Sequence, residues 1–163
     1  MKKILGVTSL LVIMILGSCV TSPDYPIEPQ IEFIGFSKSE LEQGSLNNDS
    51  LIMVISFTDG DGDLGSPPET AEKNLFVVDN RTGEIYNSFK TPEIPEEGVG
   101  NGVSGEIRVL MFTTCCIFPD NIPPCESPDL YPSNEISFDV HIVDRAGNES
   151  NIITTPLITL LCD

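Results

Sequence analysis

The sequence predicts an all-β domain, a sandwich of about seven antiparallel strands. Short apolar runs alternate with Gly, Pro, Asn and Asp punctuation from residue 30 to residue 161, the rhythm of strands and turns. Inside the runs, apolar residues recur at every second position, as in Leu51, Met53, Ile55 and Phe57 or in Ile107, Val109 and Met111. That period places them on one face of a strand. No comparable window carries a helical stripe; residues 38–47 could make one helical turn, which Gly44 limits.

The strands are expected near Gln30–Ser37, Ser50–Thr58, Asn74–Asp79, Glu84–Lys90, Gly105–Thr113, Asn134–Val143 and Asn151–Leu161. Pro23, Pro26 and Pro29 precede the first strand and predict a stiff extended tether, roughly 3 Å per residue and so on the order of 30 Å long. In the second and fifth strands the intervening Ile52, Val54, Leu110 and Phe112 are apolar too, so both faces are expected to be covered. Asn80-Arg81-Thr82-Gly83 makes a hairpin of the third and fourth strands. In the sixth, Phe138, Val140 and Ile142 share the core face and His141 points the other way. Residues 144–148 turn the chain into the last strand. Two long loops remain, 91–104 and the Pro-rich 114–133, and loops of that length are usually functional or disordered. Seven short strands in about 130 residues suggest an immunoglobulin-like or fibronectin III-like sandwich.

Ahead of this domain lies an export signal. Met1-Lys2-Lys3 is a basic start, and residues 4–16 form an uncharged apolar stretch, too short for a bilayer span of about 20 residues. Leu16-Gly17-Ser18-Cys19 resembles the lipobox of bacterial lipoproteins. The resemblance implies removal of residues 1–18, lipidation of Cys19, and a tether over 19–30 carrying the domain at 31–163. Several acyl chains would hold the protein firmly where one binds only marginally. No Asp follows Cys19 directly, so the inner-membrane retention residue of some bacteria is absent. Ser22 and Asp24 faintly resemble the Ser- and acid-rich surface-export signals of Bacteroidota lipoproteins. The expected location is therefore the outer membrane, leaning toward the cell surface.

Without residues 1–18 the chain has 145 residues (163 less 18), 25 acids and 6 basic residues, a formal charge of −19. That charge argues against nucleic acid, whose phosphates it would repel, and against lying flat on anionic lipid. The absence of Trp weakens, without removing, a glycan-stacking role. One histidine cannot build a zinc site with a second, and no Ser/His/Asp or Cys/His spacing looks catalytic.

Chemistry concentrates in two places. Asp59, Asp61 and Asp63 alternate with Gly60 and Gly62. Carboxylates two apart on a flexible loop can converge on one hard cation, and calcium suits such a set. Leu64 and Thr70 stand where an EF-hand needs Gly and Glu. If the strands alternate direction, this loop meets the turn that holds Asp144 and Asn148, completing a five-residue ligand set near the tether. Asp and Gly are also simply good turn formers, and both readings stay open. The second place is cysteine. Cys115, Cys116, Cys125 and Cys162 are an even number in an oxidising compartment. Strand alternation gathers them at the opposite pole as two structural disulfides, with the neighbours Cys115 and Cys116 not paired to each other. No Cys-x-x-Cys or zinc-ribbon spacing is present.

The segment from Phe138 to Asn151, with Val143-Asp144-Arg145-Ala146-Gly147-Asn148 at its centre, is similar to the closing hairpin of bacterial Ig-like domains. Together with the lipobox and residues 57–65, it resembles small Bacteroidota outer-membrane lipoproteins of unknown function. The resemblance covers about a quarter of the chain and implies a location and a fold. The expected role is a non-enzymatic, lipid-anchored binding or presentation module with a protein or glycan partner and a calcium ion. Its rival is a structural accessory subunit of an outer-membrane transport or secretion complex, which an exposed apolar patch on one sheet would favour.

Overall fold

A computed structural model describes residues 24–94 and 102–163. The export signal, Cys19 with the start of the tether, and residues 95–101 of the first long loop lie outside the described residues. Those described are all-β, with no helix. Ten strands follow in order: β1 Gln30–Phe36, β2 Glu40–Glu42, β3 Ser50–Asp59, β4 Leu75–Asp79, β5 Glu84–Phe89, β6 Val103–Phe112, β7 Ser133–Ile136, β8 Phe138–Ile142, β9 Ile153–Thr154 and β10 Ile158–Leu161.

They form three sheets, ordered β1-β3-β6, β5-β4-β8-β9 and β2-β10-β7. All pairs are antiparallel except β2 with β10. The last two sheets share one broken hairpin. Asp139 stands opposite Thr154 in its upper half and Ile136 opposite Ile158 in its lower half, a register change of one residue. The sixth expected strand therefore breaks at Ser137, and the seventh breaks at residues 155–157. Pro156 has no N–H for a ladder, and buried Thr155 bridges the gap. Its hydroxyl accepts from the Phe138 N–H at 3.0 Å, and its own N–H donates to the Phe138 carbonyl at 2.9 Å.

Residues 38–47 hold no helical turn. Only Leu41 there is drawn into the core. Its flanking glutamates stay out, and the segment pairs with β10 as a three-residue strand. The hairpin expected around residues 80–83 joins β4 and β5, with Gly83 at a φ of 72°.

Leu51, Met53, Ile55 and Phe57 of β3 face inward against Leu75 and Val77 of β4, Phe138, Val140 and Ile142 of β8, and Ile158 and Leu160 of β10, in a single buried cluster. One core fed from all three sheets is the packing of a sandwich. The expectation of cover on both faces fails for β3 and β6. Ile52, Leu110 and Phe112 are 39%, 49% and 36% exposed, and Ile34 beside them is 52% exposed. Among the described residues nothing packs over them, because every other sheet lies on the inner side.

Strand direction sorts the connections into two poles. Residues 24–29, 60–74, 90–94 and 143–152 gather at one, and residues 37–49, 80–83 and 113–132 with the C-terminus at the other. Burial should control stability accordingly. Ile55→Ala, at a fully buried position, is expected to cost about 2–5 kcal/mol in urea unfolding. Ile52→Ser, on the open face of the same strand, should stay within about 0.5 kcal/mol. Equal losses would mean that the outer face is covered.

Candidate metal centre

The alternation that buries β3 does not stop at its last apolar residue. After Leu51, Met53, Ile55 and Phe57, the next inward position is Asp59, and it is 0% exposed. One oxygen, Oδ2, accepts the Leu64 N–H at 3.0 Å. The other, Oδ1, is buried and has no hydrogen-bond partner, and neither has Oδ1 of Asp63.

These oxygens face further carboxylates. Asp59, Asp61, Asp63 and Asp144 each offer one oxygen, and all four lie within 4.8 Å of one another. The first three come from the turn leaving β3, and Asp144 from the turn that follows β8. Strand direction brings the two turns together. The Asp63 carbonyl accepts from the Arg145 N–H at 3.4 Å. Asn148 reaches the site through Asp144: its backbone N–H and its side-chain amide each donate to the Asp144 carboxylate at 2.8 Å. Asn148 thus helps to orient the Asp144 carboxylate.

The electrostatics are unfavourable as they stand. Burial pushes the Asp59 carboxyl up to about 6, helped by the neighbouring Asp61 carboxyl and by the charge of Asp63. Burial also raises Asp63, with the charges of Asp144 and Asp61 adding to it. Arg145 braces the rim, donating to the Leu64 carbonyl at 3.2 Å and standing 3.9 Å from Glu93. The acidic group could thus hold a metal ion, which would satisfy both orphan oxygens and offset the mutual repulsion.

Sequence reading missed two neighbours of this site. One is the bracing role of Arg145. The other is a cleft of about 520 Å³ beside Asp144, lined by Thr70, Lys73, Asn74, Phe76 and Arg145. Neither has a linear signal, since both come from packing residues 64–74 against the 144–148 turn. His141 lies across β8 from the core and stacks on Phe76, with ring centroids 5.1 Å apart.

At the other pole, Cys115 pairs with Cys125 and Cys116 with Cys162. Cys116 and Cys162 are buried in the core. Gln43 ties this pole together: its oxygen accepts from the Cys116 N–H at 3.1 Å, and its amide donates to the Cys162 carbonyl at 2.7 Å. Disulfides of this kind stabilise by about 2–4 kcal/mol each.

No family model matches the chain, and no curated protein or solved structure shows significant similarity to it. A pH series tests the geometry of the site. A carboxyl with a pKa higher folded than unfolded contributes stability below its unfolded value, 3.8, and loses it as pH rises through about 6. In chelator, the melting midpoint relative to Asp59→Asn should therefore fall as pH goes from 4 to 7. A gap that stays constant over that range would show that Asp59 is not in a strained site.

Proposed function

We propose that this protein is a lipid-anchored, non-enzymatic envelope module with an immunoglobulin-like sandwich, stabilised by calcium at the pole where its tether enters. The observation that carries the reading is the four-aspartate cluster with two buried, unpartnered oxygens. Calcium fits it better than magnesium. Opposite oxygens around calcium are about 4.6–5.2 Å apart and around magnesium about 4.2 Å, and magnesium demands stricter geometry. Waters would complete the shell beside exposed Asp61.

Strand order supports the fold assignment. Counting the broken hairpin as two strands and setting aside β2 leaves seven strands, divided three and four. The fourth lies beside the third, whereas constant-type immunoglobulin domains place it beside the fifth. This favours the fibronectin III-like variant. The loops at the two poles are the surfaces for a protein or glycan partner. The basic start, apolar stretch and Leu16-Gly17-Ser18-Cys19 carry the outer-membrane location, leaning toward the surface.

One observation favours a second reading, a structural accessory subunit of an outer-membrane transport or secretion complex. Ile34, Ile52, Leu110 and Phe112 make an exposed apolar patch on one sheet, the kind of surface that marks a protein interface.

Thermal melting of the full chain in detergent micelles tests the calcium reading. Ten millimolar calcium should raise the midpoint relative to chelator, since at about 100 times the dissociation constant a native-state ligand adds about 2.7 kcal/mol. Asp61→Asn, on an exposed ligand, should remove most of the rise. An unchanged midpoint rules calcium out. Anchoring is tested separately by membrane fractionation: Cys19→Ala should move the protein out of the membrane pellet, and retention of the variant there would exclude the lipid.

A further inference from the structure

The acidic loop has a second side. Gly60 sits between two of the proposed ligands, Asp59 and Asp61, and its N–H donates to the Pro26 carbonyl of the tether at 2.8 Å. There is no room for a side chain at that point. A Cβ on Gly60 would lie 2.4 Å from the Tyr25 carbonyl oxygen and 2.5 Å from that of Pro26, distances real Cβ atoms do not tolerate. The Tyr25 ring is seated beside Gly102, where an added Cβ would be 2.7 Å from Tyr25 Cδ2 and 3.1 Å from the Asp59 carbonyl oxygen. The tether thus runs in contact with the backbone of the acidic loop, on the peptides that carry the carboxylates.

We infer that the bound cation couples the domain to its tether: occupancy of the aspartate cluster fixes the loop on which Tyr25 and Pro26 dock, and loss of the ion releases them. The inference rests on the calcium reading of the site. The coupling is mechanical and local. Four carboxylates within 4.8 Å repel when the ion is gone, and the turn that bears three of them relaxes outward. Gly60 moves with that turn, so its hydrogen bond to Pro26 and the seat of Tyr25 are lost together. Pro26 and Pro29 stiffen the stretch between Tyr25 and β1, so docking fixes the direction in which the chain leaves the domain at Asp24, and release frees it. Cation concentration outside the cell would then control how the module is presented.

Linkage makes this measurable, because docking must strengthen ion binding by the same factor by which the ion strengthens docking. Two quantities are read on the full chain in micelles: the calcium affinity by titration, and the nuclear Overhauser effect between the Tyr25 ring and the Gly102 α protons. With calcium the contact should be present, and chelator should abolish it. Tyr25 is not one of the four aspartates and lies outside the strands, and Tyr25→Ala should weaken calcium affinity by about 5–150-fold, the usual range of such couplings. Gly60→Ala should undock the tether even in saturating calcium. Calcium binding with a Tyr25–Gly102 contact that ignores chelator, or an unchanged affinity in Tyr25→Ala, overturns the coupling and leaves the calcium site standing. No calcium binding at all overturns both.

Discussion

The carboxylate of Asp59 sets the terms for one whole pole of the molecule. Its depth is not adjustable. β3 is hydrogen-bonded on both sides, to β1 and to β6, and a one-residue slip would carry Leu51, Met53, Ile55 and Phe57 to the wrong face. With those four buried, the next inward position must be buried too, and it is an acid. Desolvating a carboxylate costs several kcal/mol unless charge or hydrogen bonds answer it. The Leu64 N–H answers one oxygen. The other oxygen faces the carboxylates of Asp61, Asp63 and Asp144, an arrangement that could hold a cation.

The same chain solves the same problem differently at the other end of a neighbouring strand. β4 runs Leu75, Val77, Asp79 on its inward side, so Asp79 also ends a core-facing row and is also buried. There the answer is covalently attached. Arg81, two residues on, forks onto Asp79 with Nε–Oδ1 at 3.1 Å and Nη2–Oδ2 at 2.7 Å, and it donates to the Cys115 carbonyl at 3.2 Å. That pole is closed from within the chain, by an arginine fork and two disulfides. The Asp59 pole has an arginine too: Arg145 donates to the Leu64 carbonyl, stands 3.9 Å from Glu93, and its charge favours the ionised form of Asp63. One end is therefore cross-linked by the chain itself. On the calcium reading, the other is held together by an ion supplied from outside.

The features legible in the sequence were those written in a period or a local turn. Alternation in Leu51–Phe57 and in Phe138–Ile142 located the core faces, and Asn80-Arg81-Thr82-Gly83 located a hairpin. Alternating strand direction was enough to bring Asp144 to the acidic loop and to gather the four cysteines at the far pole, because both follow from topology alone. What could not be read depended on three-dimensional neighbours. The breaks at Ser137 and Thr155 exist because one hairpin changes register between its two halves. Leu41 became a strand residue because β10 offered it an edge. The hydrogen bonds from Asn148 to the Asp144 carboxylate could not be read either, since they depend on how the 144–148 turn closes. The apolar side chains Ile52, Leu110 and Phe112 gave no sign of which of their two faces would go uncovered.

That uncovered face has a polarity along the strands. Ile52 stands opposite Leu110 and Ser50 opposite Phe112, whereas Ser56 stands opposite Glu106 and Thr58 opposite Ser104. The apolar half thus lies toward the disulfide pole and the polar half toward the acidic loop. The tether enters at the acidic loop. On the lipid-anchored reading, the apolar half is then the part of the sheet held away from the membrane, so its exposure is not explained by contact with the anchor's own bilayer. A free module would have no use for it there, and a subunit that leans on a larger assembly would. The two functional readings therefore differ less in what the domain is than in whether this half-face meets a partner, and the rigid disulfide pole beside it is the end suited to holding that surface in a fixed shape.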